Sequence, residues 1–581
     1  MLLHLALLVA CSDKDTADSG ATDDSSAQNV DSGVVPDSDG DGSPDDVDCE
    51  PEDASIHPDA DELCNGVDDN CDEVIDDDAI DQGTWYPDKD GDGFGIDAPY
   101  EACDGGDDAE AGGDCDDDLD TVYPGAAEQC GDGVVNDCDS SAEEARLECR
   151  PGWGTEGYSV AGSASGETLG VSVHSGGDLD GDGQADVVIG APLMNENYRG
   201  AAYVFTSARS GTVDASAADA IIAPTPSRGQ AGASVEIIPD LNGDNIDELL
   251  VGAPADTSAE SAGNAYLFLG PIESSDEESA HASMYGRFDG DYFGWAVGSA
   301  GDVDGDGEGD LLVGTPYQQD EGTAGRAYLF MGPVSGSLSE ESARHFYRYN
   351  NDQVGQAVEG LGDVNGDGLD DILVTAPNVD VNEGNRSGAA YVFFGPATST
   401  GSLNNADVRF EGEESQTSGR FGYAAARIGD ADGDGNEDVL IGAPYVDEGN
   451  GATYLYVGVT EGELQTGDAS ATLTGEDGQN SGFSLASGGD VDGDGLNEIL
   501  VGTPYSSDES ANGNFYRIYG GVSGTSTLNS HGSYLIGTYS YGWSVAGGTD
   551  LNNDGLLDFV VGRPYASGGG HATITTSGDA Y

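Results

Sequence analysis

The chain has 581 residues, of which 112 are acidic and 17 are basic, so its formal charge is −95. A charge of this sign and size excludes nucleic acid phosphates as partners and makes anionic lipid surfaces equally unfavourable. Such a charge alone would favour disorder, but 37% of the residues are apolar and gather in short β-type runs that can build cores. The carboxylates cluster at the spacing of metal ligands, so bound cations would cancel much of the charge.

The first eleven residues form a short apolar run that ends in Leu8-Val9-Ala10-Cys11. This ending resembles the lipobox of bacterial lipoprotein signal peptides, although only His4, and no Lys or Arg, precedes the run; an ordinary signal segment is the alternative. The resemblance implies lipidation of Cys11 and an exported protein of the bacterial outer membrane or cell surface. No later stretch has the roughly 20 apolar residues of a membrane span, so we expect membrane attachment through the lipid alone.

Residues 12 to 36 consist mainly of Asp, Ser, Thr, Ala and Gly, which predicts a flexible acidic linker. Residues 37 to 150 then hold two copies of an aspartate- and cysteine-rich module, each opening with D-x-D-G-D-G. The candidate metal ligands in these runs are Asp37, Asp39, Asp41, Asp88, Asp90 and Asp92. The modules resemble the metal-binding repeats of MopE-type bacterial surface proteins, and the aspartate runs are also similar to thrombospondin type 3 calcium repeats. The alternative is a disulfide-stapled spacer whose acids merely solvate it.

Eight cysteines fall within this duplicated region, and an even number in an exported protein predicts four disulfides. Their similar spacing in the two copies indicates a duplicated unit but leaves the connectivity open. Zinc is the weaker alternative because no C-x-x-C pair or histidine cluster accompanies them. The cysteines are Cys49, Cys64, Cys71, Cys103, Cys115, Cys130, Cys138 and Cys149.

Residues 151 to 581 contain one unit seven times, with acidic loops that begin at Asp178, Asp240, Asp302, Asp363, Asp430, Asp490 and Asp550. Each unit predicts four short strands. The first carries an F-G-like step such as Phe293-Gly294 and ends in the acidic loop. The second is an apolar run closed by a G-x-P turn, the third is aromatic and β-branched, and the fourth is weaker. A long internal period of this kind is typical of propellers, solenoids or arrays, and seven units favour a closed ring.

The pairing of F-G with G-A-P, as in Gly190-Ala-Pro192, around an acidic loop resembles the FG-GAP repeat of integrin α-chain propellers. The resemblance implies an all-β, seven-bladed β-propeller preceded by a small, loop-rich, disulfide-rich stalk. We expect residues 570–576 to supply the third strand of the last blade and residues 157–161 its fourth. Pairing these two segments would close the ring and remove exposed edges.

The acidic loops offer oxygens at positions 1, 3, 5 and 9 and a backbone carbonyl at position 7, while glycines permit the tight turn. Such an oxygen cage suits Ca²⁺ better than Mg²⁺, and an EF-hand is excluded because an apolar strand follows the loop. A hydrated turn without an ion is the alternative. Asn replaces the acid at position 3 in three loops, and Asn245 and Asn553 replace glycines in blades 2 and 7. Three or four unpaired carboxylates per loop would destabilise the metal-free fold, so calcium should be structural.

About seven Ca²⁺ ions are thus predicted in the propeller. Their predicted ligands are Asp178, Asp180, Asp182, Gln184 and Asp186; Asp240, Asn242, Asp244, Ile246 and Glu248; Asp302, Asp304, Asp306, Glu308 and Asp310; Asp363, Asn365, Asp367, Leu369 and Asp371; Asp430, Asp432, Asp434, Asn436 and Asp438; Asp490, Asp492, Asp494, Leu496 and Glu498; and Asp550, Asn552, Asp554, Leu556 and Asp558.

No H-E-x-x-H, G-x-S-x-G or phosphate-binding glycine loop occurs, so no catalytic residue is predicted. On the rim opposite the acidic loops, tyrosines that could stack on sugars or bind protein follow the G-x-P turn; packing between blades is the alternative. They are Tyr317, Tyr445, Tyr505 and Tyr565. The sequence predicts a calcium-binding surface lipoprotein for adhesion or recognition of an extracellular protein or glycan. The alternatives are a polysaccharide-acting enzyme and a structural or metal-sequestering protein.

Overall fold

A computed structural model describes residues 35–126, 136–138, 153–194, 199–224, 229–256, 262–287, 290–320, 323–347, 351–380, 386–397, 401–413, 418–459, 462–505, 512–538 and 540–577. The chain forms two compact units, Met1–Ala126 and Ala127–Tyr581. The predicted signal segment, Cys11 and nearly all of the linker lie outside the described residues. Within the described residues, no helix is long and apolar enough to cross a bilayer.

The first unit consists mainly of turns, as its Asp, Gly and Cys content predicts. Strand Gly83–Trp85 pairs antiparallel with Tyr100–Ala102, and Phe94–Gly95 pairs parallel with Ala111–Gly112. Its core is small, so covalent bridges stabilise it in place of a large apolar interior.

The disulfides of the first unit settle part of the connectivity that the sequence leaves open. Cys49 is bonded to Cys71, and Cys64 is bonded to Cys103. Cys115 is also disulfide-bonded, and so is Cys138, which lies in the second unit. Cys130 and Cys149 lie outside the described residues, so the fourth bridge stays a prediction.

The second unit is the predicted seven-bladed propeller, and each blade is a four-stranded antiparallel sheet. From the axis outward the strands are Val173–Ser175, Val187–Gly190, Ala202–Phe205 and Ala220–Ile222 in blade 1; Ser234–Ile238, Glu248–Ala253, Asn264–Phe268 and Ala282–Tyr285 in blade 2; Ala296–Gly301, Asp310–Asp320, Thr323–Phe330 and Arg344–Tyr347 in blade 3; Val358–Gly362, Asp371–Ala376, Ala389–Phe393 and Val408–Glu411 in blade 4; Ala425–Gly429, Asp438–Ala443, Ala452–Tyr456 and Ala471–Thr474 in blade 5; Ser484–Gly489, Glu498–Thr503, Asn512–Ile518 and Gly532–Thr538 in blade 6; and Ser544–Thr549, Asp558–Arg563, His571–Ser577 and Trp153–Ala161 in blade 7.

Blade 7 closes the ring as the sequence predicts. Its third strand, His571–Ser577, pairs antiparallel with Trp153–Ala161, so that Ala572 lies opposite Val160 and Ile574 lies opposite Tyr158. The ring therefore joins the two ends of the propeller segment within one sheet, which removes two edges that could pair with other chains.

The connection between the third and fourth strands of most blades adds a further parallel strand to the outer edge of the preceding blade. These strands are Gly211–Asp214, Gly336–Ser339, Gly401–Ser402, Gly462–Gln465 and Gly524–Thr527. Short 3-10 turns at Ala215–Ala217, Glu277–Ser279, Glu340–Ser342, Leu403–Asn405 and Thr466–Asp468, and one helical turn at Leu528–His531, complete these connections. The 3-10 turn Asp447–Gly449 lies between the second and third strands of blade 5, and Asn351–Val354 pairs with the third strand of blade 3.

At its outer edge, within the described residues, blade 1 has only an isolated parallel bridge between Ile222 and Ser275, and blade 6 differs further. In the part of the chain that the structure describes, strand Gly532–Thr538 carries no added strand, and Tyr534 and Ile536 are exposed there. The cause is the closure of blade 7, whose fourth strand comes from Trp153–Ala161, so that no continuous connection joins its third and fourth strands.

The apolar core lies between neighbouring blades, as in any ring of stacked sheets. Between blades 1 and 2, for example, Val188 and Val204 pack with Leu249 and Tyr266, all nearly inaccessible to solvent. The second strand of each blade is buried on both faces, which is why it reads as a continuous apolar run.

The glycines of the repeat explain the blade interfaces. A Cβ added to Gly190 would lie 2.1 Å from the Gly232 carbonyl oxygen of blade 2, and one on Gly562 would lie 2.1 Å from the Gly170 oxygen of blade 1. In these blades the G-x-P glycine therefore touches the F-G glycine of the next blade, and no side chain fits between them; blade 4 is the exception, with Thr375 facing Gly422. One detail of the prediction was wrong: the F-G step, as at Phe293-Gly294, lies in the turn before the first strand, because its backbone makes this contact.

Candidate metal loops and aromatic crown

The seven acidic loops share one hydrogen-bond pattern, which blade 1 illustrates. The Asp178 carboxylate accepts hydrogen bonds from Gly181 N through Oδ1 (2.7 Å) and from Gly183 N through Oδ2 (2.7 Å). The Asp182 carboxylate accepts one from Gln184 N at 2.8 Å. These bonds fold the loop back on itself around its carboxylates, as a cation cage requires.

The ninth residue fastens each loop to the blade. In blade 1, Asp186 Oδ2 accepts a hydrogen bond from Leu179 N at 2.6 Å, while Asp186 Oδ1 has no protein partner among the described residues. Asp178, Asp180 and Asp186 each offer an oxygen within 4.8 Å of the others. The ninth residues are at most 1% exposed: Asp186, Glu248, Asp310, Asp371, Asp438, Glu498 and Asp558.

Burial of these ninth carboxylates makes ionisation unfavourable, and the other acids of each loop add to the effect. It raises the pKa to about 7 for Asp186, Glu248, Asp438 and Asp558, to about 6 for Asp310 and Asp371, and to about 8 for Glu498. Hydrogen bonds from backbone N–H groups oppose the shift without cancelling it. Each loop is therefore a site of concentrated negative charge that a cation would relieve.

The two loops that lack a glycine keep the shared shape. Asn245 has φ of 65° and Asn553 has φ of 60°, the left-handed conformation that their blade 1 counterparts, Gly183 and Gly181, both adopt at 82°. Asn tolerates this region better than most residues. In blade 2 the oxygens of Asp240, Asp244 and Glu248 lie within 4.8 Å of one another.

In the first unit, the predicted aspartates also converge. The oxygens of Asp37, Asp39 and Asp41 lie within 4.8 Å of one another, and so do those of Asp88, Asp90 and Asp92. The Asp88 carboxylate accepts hydrogen bonds from Gly91 N at 2.7 Å and from Gly93 N at 3.1 Å, as the first residue of a propeller loop does.

A further loop with the same hydrogen-bond pattern begins at Asp68, and it was not predicted from the sequence. Asp68 accepts hydrogen bonds from Asp72 N at 3.1 Å and Glu73 N at 2.9 Å, and Asp72 accepts one from Val74 N at 2.9 Å. Cys71 and Glu73 take the left-handed positions, at φ of 61° and 75°. The D-x-N-x-D spacing was the available signal, but the loop has no glycine at either position.

On the propeller, nine rings form what we call the aromatic crown: Tyr292, Trp295, Tyr317, Tyr423, Tyr445, Phe483, Tyr505, Trp543 and Tyr565. They touch edge-on or tilted, with centroids 4.8 to 6.3 Å apart. Trp295, Tyr423, Phe483, Trp543 and Tyr565 line a shared cavity of about 320 Å³.

The four tyrosines named from the sequence are all members of the crown. They pack against neighbouring rings, yet Tyr445, Tyr505 and Tyr565 are 37%, 41% and 55% exposed. The guanidinium of Arg420 lies 5.0 Å from the Tyr445 ring centroid. The sequence missed the other five rings, because Trp295, Tyr423, Phe483 and Trp543 sit just after the F-G position and read as blade packing.

The first strands enclose an axial cavity of about 300 Å³ with an unexpected polar cluster. His174 Nε2 lies 3.4 Å from Glu236 Oε1, and the charge of Glu236 raises the His174 pKa against the opposing effect of burial. Burial and Glu236 raise the pKa of Glu359, while Arg427 lowers it. Arg427 is held by Glu437 at 2.6 and 2.8 Å.

Comparisons with known proteins match parts of this chain to two kinds of repeat. The FG-GAP repeat matches residues 169–205, 231–268, 293–330, 355–393, 481–519 and 541–575. These segments omit blade 5, although its strands and loop follow the same plan. A putative metal-binding motif of the MopE type matches residues 48–77 and 114–144.

Integrin alpha-PS3 of Drosophila melanogaster is 31% identical over 233 residues, which are 38% of this chain and 19% of that protein. Integrin alpha-4 of Xenopus laevis is 32% identical over 204 residues, or 34% of this chain and 18% of that protein. The chain thus spans less than a fifth of the length of these relatives. The V. cholerae biofilm matrix protein Bap1 covers 73% of this chain and 91% of its own at 12% identity, with a TM-score of 0.37.

Seven acidic loops in register, the glycine contacts between blades and the closed ring agree with the FG-GAP match, and the loops offer the oxygen donors that divalent cations prefer. The chain carries integrin α-like FG-GAP repeats folded as a seven-bladed propeller, together with MopE-type metal-binding motifs.

Proposed function

We propose that this protein is a calcium-binding bacterial surface lipoprotein whose propeller recognises an extracellular protein or glycan. The aromatic crown carries the proposal, because it combines a cavity of about 320 Å³ with rings that keep exposed faces. Cavities of this size, lined by rings, are typical of ligand sites, and aromatic faces stack on sugars or anchor protein side chains. Export and attachment through Cys11 belong to the same proposal.

Calcium is the ion that the loops would take. Carboxylate and carbonyl oxygens in a flexible cage suit its shell of six to eight ligands. We propose about seven ions in the propeller, held by the residues given above, with a structural role. Metal analysis of the purified full chain and thermal unfolding in millimolar calcium and in excess chelator test this. A site at 100 times its Kd contributes about 2.7 kcal/mol, so the melting temperature should fall sharply on chelation; an unchanged curve would refute the structural role.

The recognition proposal is tested with immobilised full chain, a glycan array and an extracellular protein panel, all in calcium. The Tyr505→Ala, Tyr565→Ala double variant removes two exposed crown faces, and each lost stacking contact should weaken binding by about 0.5–1.5 kcal/mol. Tyr534→Ala is the matched control, since Tyr534 is 43% exposed but lies on the outer strand of blade 6. Both variants should melt like the wild type.

The outcomes separate the alternatives. Saturable binding that the crown variant loses and the control keeps supports recognition. Equal binding by both variants would show that the ligand binds outside the crown. Calcium binding without any saturable ligand favours a structural or metal-sequestering protein, and turnover of a polysaccharide would identify an enzyme.

A further inference from the structure

Two loops of the first unit are incomplete as cages when only their own aspartates are counted. Asp39 Oδ2, Asp41 Oδ2, Asp90 Oδ2 and Asp92 Oδ2 are buried, and none has a protein partner among the described residues. In the propeller, the ninth residue supplies a buried carboxylate that closes each loop. The second loop of the first unit has no carboxylate at its ninth position.

The ninth residues of the two loops differ. In the first loop it is Asp45, whose Oδ1 accepts a hydrogen bond from Ser38 N at the second position, as a propeller ninth residue does, and whose Oδ2 accepts from the Ser38 hydroxyl, both at 2.8 Å. In the second loop it is Ile96, which has no side-chain oxygen. The closing oxygen of the second site must therefore come from elsewhere in the unit, and the first site, whose Asp39 Oδ2 and Asp41 Oδ2 have no protein partner among the described residues, can take a further oxygen as well.

Asp48 and Asp114 are the two buried carboxylates that meet this need. They are 8% and 7% exposed. In each, Oδ1 accepts a hydrogen bond from the residue two positions on, Glu50 N at 3.0 Å and Asp116 N at 2.8 Å. In each, Oδ2 is buried and has no protein partner in the described part of the chain.

The backbone brings both residues to their loops. Asp48 follows the first loop directly, and its N–H donates to Pro44 O at 3.2 Å. Asp114 arrives from farther along the chain, because Phe94–Gly95 pairs parallel with Ala111–Gly112 and Asp114 N then donates to Gly95 O at 3.2 Å. This parallel strand pair thus brings the Asp114 carboxylate back to a loop that lies about twenty residues earlier in the chain.

We propose that Asp114 closes a hard-cation site on the loop Asp88–Asp92, as Asp48 does on the loop Asp37–Asp41. Each site then has four carboxylates. Three come from the loop, and the fourth is that of Asp48 or Asp114, whose buried Oδ2 has no protein partner among the described residues. The two MopE-type matches begin at Asp48 and Asp114, so each motif opens with the residue that completes the loop before it.

The ligand chemistry selects the ion class. All four donors are carboxylates, which suit calcium or a similar hard cation, whereas copper and zinc favour imidazole and thiolate. The sulfur atoms beside Asp48 belong to the Cys49–Cys71 disulfide and are not thiolates.

Hydrogen exchange of the full chain, read by mass spectrometry while free calcium is raised, tests the proposal peptide by peptide. Calcium should protect peptides that cover 88–95 and 111–116 together. In Asp114→Ala, the calcium concentration at half-protection should rise at least tenfold for both peptides. Loss of even a residue that only supports a ligand typically lowers metal affinity by about tenfold or more. The peptide 37–48 should keep its midpoint, and Asp48→Ala should show the reverse. Asp120→Ala, an exposed carboxylate, is the matched control.

Three results would overturn the proposal: an unchanged midpoint at 88–95 in Asp114→Ala, no calcium-dependent protection of 88–95 in the wild type, or protection by copper and not by calcium. Misfolding of Asp114→Ala would appear as lost protection around the Cys64–Cys103 bridge. In that event Asp114→Asn, which keeps the shape and removes the charge, gives the deciding midpoint.

Discussion

At the scale of single residues, the ninth carboxylate of each propeller loop has two roles that oppose each other without metal. Asp186 holds Leu179 N and so fixes the loop, but its buried charge faces the other acids of the cage, which raises its pKa to about 7. A cation would reconcile the two roles, because it stabilises the charge that the hydrogen bond alone cannot.

Asp186→Asn should separate these roles. The amide oxygen can still accept from Leu179 N, and the amide nitrogen takes the place of Oδ1, which has no protein partner among the described residues. Without metal at neutral pH, the variant should be more stable than the wild type by on the order of 1 kcal/mol, since a buried carboxylate that is partly ionised at this pH is gone. In millimolar calcium it should be less stable, because the site loses a ligand charge.

Calorimetry of the wild type and the variant, with and without calcium, measures whether the stability difference between them changes sign. Glu273→Gln removes an exposed carboxylate outside any loop and should leave both melting temperatures unchanged. If Asp186→Asn were destabilised equally in both conditions, the residue would serve only as a backbone anchor and the cation argument for blade 1 would fail.

Residue spacing reveals some of these sites and hides others. The D-x-D pattern with glycines marks the seven propeller loops because every ligand lies within nine residues. It does not reveal Asp114, whose position depends on strand pairing between residues far apart in sequence. The Asp68 loop is not recognised from the sequence for another reason. Cys71 and Glu73 adopt left-handed φ values, which sequence patterns assign to glycine.

At the scale of strands, the repeat motif is best understood as a contact between blades. Strand existence and order follow from alternation and apolar runs, and the closing strand Trp153–Ala161 was predictable because blade 7 lacks a fourth strand of its own. The additional outer strands were not predictable, since segments such as Gly336–Ser339 are short and mostly polar and offer a single apolar residue, Leu338, to the core.

The glycine contact predicts a strong positional effect. A Cβ on Gly442 would lie 2.1 Å from the Gly482 carbonyl oxygen of the next blade, so the backbone must shift. Gly442→Ala should cost about 1–3 kcal/mol, the usual penalty for overpacking. Gly467→Ala is the control, because its Cβ meets nothing within 4 Å and its φ is ordinary; it should change stability by less than about 0.5 kcal/mol.

Urea unfolding in saturating calcium reports both variants under one condition. Equal midpoints for Gly442→Ala and Gly467→Ala would show that the interface can widen freely. Blade 4 already carries Thr375 at the equivalent position, where its hydroxyl accepts from Ala357 N at 2.9 Å, so Thr375→Gly should not stabilise the protein.

At the scale of the whole molecule, charge couples stability to both pH and metal. The chain carries a formal charge of −95, and the seven ninth carboxylates have pKa values of about 6 to 8 in the metal-free fold. Their ordinary values are 3.8 for Asp and 4.5 for Glu. At pH values between the ordinary and the raised pKa, the folded state binds more protons than the unfolded state. The stability of the metal-free protein therefore falls as the pH rises through this range.

The calcium-loaded protein should behave in the opposite way, because calcium holds the same carboxylates ionised and protons compete with it. Lowering the pH from 7.5 to 5 should therefore raise the melting temperature in metal-free buffer and lower it in millimolar calcium, and the two curves should converge in acid. Carboxylates with lowered pKa, such as Asp214 and Asp240, lose their contribution only below about pH 4, outside this window. Calorimetry at three pH values is sufficient; parallel curves would show that the buried acids do not share their sites with calcium.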